Sequence, residues 1–235
     1  MADTKPRPGR ILVGITGASG TVYARALLGE LLRLGADLHL IVSSSAHLVM
    51  REELGITFTR GGFDLGEFLG MDVPAGRVTM HADSDLAAGP ASGTFRAHAM
   101  IICPCSMKTL GMLASGTGSS LIARAADACL KERRRLVVVP RETPLNLIHL
   151  RNMVTLTEAG GVVLPAMPGF YHRPATIDDL LRHLVLKILD AAGIEHNIAL
   201  RWKEPPAEGA GESEAAPPAT AGPPPEAITE DGGLV

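Results

Sequence analysis

Ile11-Leu12-Val13-Gly14-Ile15-Thr16-Gly17-Ala18-Ser19-Gly20 is the stretch on which the fold turns. Its first five residues form an apolar run of strand character. The hydroxyls and glycines that follow permit a tight turn. Residues 22–34 then repeat apolar side chains at helical spacing until Gly35 stops them. A buried strand that turns through glycines into a helix is the opening unit of a parallel α/β sheet, and the N–H groups that start such a helix attract phosphate. Ser19 stands where it can cap that helix and hydrogen-bond a ligand. The loop lacks the GxGxxG dinucleotide pattern. After the second strand, where an acidic ribose reader is expected, the chain has Ser43-Ser44-Ser45.

Outward from this unit, strands and helices alternate. Residues 37–42 form a second strand, and 45–54 form a helix ended by Gly55. A glycine- and phenylalanine-containing loop over 57–76 leads to a weak strand at Val78. Buried strands over 99–103 and 136–139 flank helices over 109–114 and 120–130. A helix over 145–158, a short strand over 162–164 and a helix over 176–192 complete the pattern. This alternation predicts an α/β fold with a doubly wound parallel sheet, a Rossmann-like or flavodoxin-like three-layer sandwich. In such a sheet the loops after the strands open at one edge, and ligands bind there.

The chain has 235 residues, enough for one sizeable domain and a tail. Hydrophobic residues make up 46% and aromatics only 3%, so the core rests on Leu, Val, Ile and Ala. The net charge of −3 becomes +4 once the seven acidic residues of 204–235 are set aside. That mild, scattered basic balance suits small anionic ligands and argues against nucleic acid as a partner. The tail is rich in Pro, Ala, Gly and Glu and has no aromatic, so it is expected to be disordered. The expected organisation is a polar arm over 1–9, one domain over 10–203 and the acidic tail over 204–235.

No apolar run approaches the roughly 18 residues of a membrane span, and the polar N-terminus lacks a signal peptide's apolar stretch. Three cysteines make no disulfide framework, so reduced thiols in a cytoplasmic protein are expected. Cys103 and Cys105 are too closely spaced for zinc, and no metal is expected.

Three more segments follow strand-like runs and gather donors at the same edge. Ser106-Met107-Lys108-Thr109 starts a helix and reads as a second phosphate cradle, or as ordinary capping. Arg141 and Glu142 lie between Pro140 and Pro144, an adjacent cation and carboxylate able to bind an anion and move a proton. Pro168-Gly169-Phe170-Tyr171-His172 adds a phenol. On the 120–130 helix, Arg124, Asp127 and Lys131 share the polar side, and Asp127 with Lys131 makes a favourable i,i+4 pair. On the last helix Ile177, Leu180, Leu181, Leu184, Val185, Ile188 and Leu189 form a core stripe. Lys187 flanks it, where snorkelling is the plain reading. Trp202, the single tryptophan, is expected to dock on the core or on a neighbouring subunit.

Taken together, Gly14–Gly20, Ser43, Cys103–Thr109, Arg124-Ala125-Ala126-Asp127, Leu130–Arg134, Pro140–Pro144, His149-Leu150 and Leu164–His172 resemble the UbiX-type flavin prenyltransferases, in unbroken order over about residues 10–202. The resemblance implies binding of FMN and transfer of a dimethylallyl group from dimethylallyl phosphate to N5 and C6 of the reduced flavin. It also implies a UbiD-type decarboxylase as recipient of the prenylated FMN, independence of metal, and a dodecameric homo-oligomer with the site between subunits. Carried over by position, Gly17, Ala18, Ser19, Ser43, Ser106, Met107, Lys108, Thr109 and Arg141 bind FMN. Lys131, Glu142, Tyr171 and Lys187 hold the prenyl phosphate, and Lys131 and Glu142 act in catalysis. Glu53 and Ser19 move a proton near N5, and the Trp202 segment closes over the site. Lys187 stands where many relatives have arginine, which keeps the charge and loses a bidentate fork.

Two rivals compete. The first is an FMN-dependent decarboxylase of the cysteine-peptide or phosphopantothenoylcysteine type. Such enzymes carry an Asn-containing motif near 105–109 and a later Met-Asn motif, both missing here. Their catalytic histidine could be sought in His47, which reads better as structural on its amphipathic helix. The second rival is a non-enzymatic FMN carrier, which has no need of Lys131, Glu142, Tyr171 and Lys187 around a second phosphate.

Overall fold

The computed structural model describes residues 8–56 and 63–198. The expected arm (apart from Pro8 and Gly9), the tail, Trp202 and residues 57–62 of the 57–76 loop lie outside them. Six strands form one parallel sheet in the order β3-β2-β1-β4-β5-β6. They are β1 (Arg10–Ile15), β2 (Asp37–Val42), β3 (Val78–Ala82), β4 (Ala99–Cys105), β5 (Arg135–Pro140) and β6 (Val162–Val163). This is the doubly wound order, and its direction reverses between β1 and β4.

Seven helices cover the sheet among the described residues. They are α1 (Thr21–Arg33), α2 (Ser44–Leu54), α3 (Leu65–Leu69), α4 (Met107–Ser115), α5 (Leu121–Lys131), α6 (Leu147–Glu158) and α7 (Ile177–Ala192). Successive strand side chains point to opposite faces, so each buried strand feeds two cores. Ile11, Val13, Ile15, Leu38, Leu40, Ile101 and Val139 pack with α1, α2, α3 and α7. Leu12, Ile41, Met100, Ile102, Leu136 and Val138 pack with α4, α5 and α6. Leu27, Leu28 and Leu31 of α1 are fully buried, and truncating one to Ala costs about 2–5 kcal/mol in such a site.

The helix faces follow the sequence with two exceptions. On α5, Leu121, Ile122, Ala125, Ala126 and Cys129 are buried, while Arg124, Asp127 and Lys131 are exposed. On α7 the stripe is buried from Leu184 to Leu189, but Ile177, in the first turn, is 74% exposed. Asp127 and Lys131 do not form the expected pair. Lys131 Nζ lies 3.6 Å from Glu132 instead. Beyond α5, Arg134 donates to the carbonyls of Phe95 and Gly93 at 2.6 and 2.5 Å.

Candidate active site

The loops beyond the strand ends are stitched edge to edge. Ser43 N–H donates to Ile15 O (3.0 Å), joining β2 to β1, and Thr16 N–H donates to Pro104 O (3.2 Å), joining β1 to β4. Arg141 N–H donates to Cys105 O (3.3 Å) and Ala166 N–H to Pro140 O (3.0 Å), extending the seam past β5. At the switch point, the Thr16 hydroxyl donates to Pro104 O (3.0 Å) and accepts from Ser106 N–H (2.8 Å). Thr16 is 2% exposed, so this one side chain locks the first loop to the second inside the protein. Sequence reasoning missed its role. The signal was a hydroxyl directly after a buried strand.

Each expected binding loop takes a definite form. Gly17 admits no side chain, because a Cβ there would lie 2.4 Å from that of Ser45. Ser43 caps α2 by accepting from Ala46 N–H, and Ser106 caps α4 by accepting from Thr109 N–H. Met107, Lys108 and Thr109 form the first turn of α4, with Thr109 buried and Lys108 exposed. Ala18 is buried beside them.

The start of α1 departs from expectation. Its N-cap is Gly20, with φ at +105°, and Ser19 does not cap it. The carboxylate of Glu53, from the last turn of α2, takes that place. It accepts from Gly20 N–H (2.9 Å), Thr21 N–H (2.8 Å) and the Thr21 hydroxyl (2.7 Å). The helix start is therefore already occupied by an anion, and a ligand phosphate must use other donors. Burial pushes the Glu53 carboxyl up. Hydrogen bonds from the Ser19 and Thr21 side chains and the Gly20 and Thr21 amides outweigh it and hold the group below the ordinary glutamate value.

Ser19, Gly20, Val22, Tyr23, Glu53, Arg141 and Ala166 line a cleft of ≈ 410 Å³ at this edge. Arg141 Nε donates to Ser19 O (2.9 Å), which pins the guanidinium over the first loop and turns its terminal nitrogens to other acceptors. Burial, reinforced by the neighbouring Cys103 and opposed by Arg141, raises the Tyr23 phenol and keeps it neutral. A larger groove of ≈ 940 Å³ runs between α1 and α7 and shares Val22 with the cleft.

The remaining expected residues fall in two places. Tyr171 Oη lies 2.9 Å from His183 Nε2, and Lys187 follows His183 by one turn of α7. Glu142 is exposed beside Arg141 and accepts from Thr143 N–H at 3.1 Å. Lys131 is not brought to them within the protomer. Asp83, just past β3, holds the start of α5 at the ligand edge through Leu121 and Ile122 N–H. The 11-residue helix then carries Lys131 about 15 Å toward the opposite edge.

All three cysteines are buried, and burial pushes the Cys129 thiol up to about 11 and the other two higher. No group of three or more His, Cys, Asp or Glu able to hold a metal ion occurs among the described residues. No described helix is long and apolar enough to cross a membrane.

The profile of the flavoprotein family matches residues 2–185. Flavin prenyltransferase UbiX of Alkalihalophilus pseudofirmus is 49% identical over 192 residues, covering 82% of this chain and 95% of that relative. The chain belongs to the UbiX flavin prenyltransferases. The same enzyme of Pseudomonas aeruginosa is 43% identical over 199 residues, covering 84% of this prenyltransferase and 95% of that one. The structure of AnUbiX in complex with FMN and dimethylallyl pyrophosphate superposes with a TM-score of 0.73 at 40% identity, covering 84% and 99% of the two chains. A dodecameric FMN-dependent UbiX-like decarboxylase from Escherichia coli O157:H7 gives 0.72 at 40% identity, covering 83% and 100%. Phosphopantothenoylcysteine and cysteine decarboxylases share only the fold, at 20% identity or below.

This prenyltransferase is a flavoprotein, and its cleft suits FMN. The volume lies in the range of small-molecule sites, about 300–1,000 Å³. Ser43, Ser106, Thr109 and Arg141 set hydroxyls and a cation along the seam that Glu53 does not engage, and of these Arg141 lines the cleft.

Proposed function

We propose that this chain transfers a dimethylallyl group from dimethylallyl phosphate to N5 and C6 of reduced FMN. The observation that carries this reading is the cleft itself. Three separate segments deliver Ser19, Glu53 and Arg141 to the switch point of a chain whose family prenylates flavin. Reduced FMN, when bound, supplies the two nucleophilic ring atoms. Gly17, Ala18, Ser43 and the Ser106–Thr109 turn would hold it, and Arg141 would supply a cation for its phosphate.

Within this reading, Glu53 acts as a proton acceptor. Its lowered titration keeps it ionised, and the Ser19 hydroxyl donates to it, so Ser19 and Glu53 form a two-member relay for the proton at N5. Breaking the allylic C–O bond sends the electron pair to the leaving phosphate. Lys131, Lys187 and Tyr171 stabilise that charge as it develops, and Glu142 exchanges its proton. Pocket walls must exclude water so that the allylic carbon meets flavin.

Since Lys131 projects from the opposite sheet edge, we place it in the site of a neighbouring subunit. The working enzyme is then a homo-oligomer, and the dodecamer of the Escherichia coli relative is the arrangement we propose. The product goes to a UbiD-type decarboxylase. The test is reconstitution. Flavin released from a reaction with reduced FMN and dimethylallyl phosphate should activate a UbiD-type decarboxylase apoprotein. A decarboxylase left as inactive as with FMN alone would contradict the proposal.

A further inference from the structure

His183 has no place in the mechanism above, yet it is 5% exposed and joined to the Tyr171 loop by two hydrogen bonds. We propose that His183 is a positioning residue that fixes the Tyr171 hydroxyl as a donor toward the phosphate of the prenyl substrate, an inference that rests on the prenyl-transfer reading.

Gly169 N–H lies 3.1 Å from His183 Nδ1, and a backbone amide can only donate. Nδ1 therefore presents its lone pair. A neutral imidazole then carries its single proton on Nε2. That nitrogen lies 2.9 Å from Tyr171 Oη, so Nε2–H donates to the phenol oxygen. The phenol hydrogen is thereby directed away from His183. With the opposite tautomer Tyr171 would spend its hydrogen on His183, and Gly169 N–H would face another N–H. The loop amide thus decides, two bonds away, which way the hydroxyl donates.

The surroundings keep this arrangement. Burial, then His172 and Lys187, lower the His183 titration and favour the neutral ring. His172 stacks on it at 5.0 Å with planes 8° apart, and Tyr171 meets it edge-on at 5.3 Å. Gly169 is held as closely. A Cβ there would lie 2.9 Å from Tyr171 Cε1 and 3.2 Å from His183 Cε1. Lys187, four residues after His183, shares its helix face. Lys187 thus stands one helical turn beyond the histidine that aims the phenol.

The test uses the full chain loaded with oxidised FMN, so that no turnover occurs, and measures dimethylallyl phosphate binding by calorimetry. His183→Phe removes both hydrogen bonds and keeps a ring, with His183→Met as a second apolar variant should Phe disturb folding. His183→Gln can accept from Gly169 N–H and donate to Tyr171. We expect His183→Phe to weaken dimethylallyl phosphate binding roughly fivefold, with FMN affinity unchanged. His183→Gln should recover most of the loss, and His183→Phe should add little in a Tyr171→Phe background. Wild-type binding in His183→Phe or His183→Met, or additive losses with Tyr171→Phe, would overturn the role of His183 alone. A wild-type protein that binds no dimethylallyl phosphate would overturn the prenyl-transfer reading and this role with it.

Discussion

The Glu53 carboxylate on α2 holds the Thr21 amide at 2.8 Å and the Thr21 hydroxyl at 2.7 Å, and so caps the helix that opens the flavin cleft. One side chain thus ties two helices together and fills the helix start with negative charge. We predict that Glu53→Gln lowers stability by about 1 kcal/mol or less, since the carboxylate is exposed and screened. The sign of its pH dependence follows from the lowered titration. The contribution is complete above the unfolded value of 4.5 and fades as pH falls through the lower folded value. Thermal melts of both proteins across the acid range should converge at the acid end. Because the same carboxylate serves the proton relay, turnover should fall far more than stability.

Thr16 offers a sharper structural test. Thr16→Val preserves shape and strands Ser106 N–H, while Pro104 O keeps the backbone amide of residue 16 as its donor. Leaving such a group unsatisfied costs roughly 1–3 kcal/mol. FMN affinity should fall together with the melting temperature, as titration and calorimetry would show. A variant with unchanged FMN affinity would mean that the seam between β1 and β4 does not shape the cleft.

Much of this was legible beforehand, and the failures have a common cause. Glycine stops, alternating strands and the α5 and α7 stripes placed every described strand and all but the short α3 to within a few residues, because local periodicity sets them. Ser19 as helix cap was wrong because the competing acceptor, Glu53, arrives from 32 residues further on than Thr21. The Asp127–Lys131 pair failed because Glu132 offers Lys131 a nearer carboxylate. His183 went unread because it lies beside the α7 stripe, at a spacing of four from Lys187. Its partners Gly169 and Tyr171 come from a loop whose path no periodicity predicts.

Lys131 should act across a subunit boundary. Lys131→Met and Lys187→Met keep the stem and remove one charge-assisted phosphate contact, worth about 1.5–3 kcal/mol. Turnover should fall roughly tenfold or more in each, with FMN affinity barely changed. Inactive Lys131→Met and Lys187→Met subunits, mixed and reassembled, should regain part of the activity, because some sites then receive both lysines. Mixtures that stay inactive would place Lys131 and its site on one chain.

Deleting residues 204–235 should leave melting temperature and turnover unchanged, because this segment carries seven acidic residues and no aromatic to anchor it. A large loss of stability on truncation would show that the segment docks on the assembly.

The protein is incubated anaerobically with reduced FMN and dimethylallyl phosphate, without added metal, and the released flavin is weighed by mass spectrometry. The account predicts a flavin heavier by one five-carbon unit, formed at an undiminished rate in the presence of a chelator. Recovery of unmodified FMN from a protein that binds both ligands would contradict it and leave a flavin carrier.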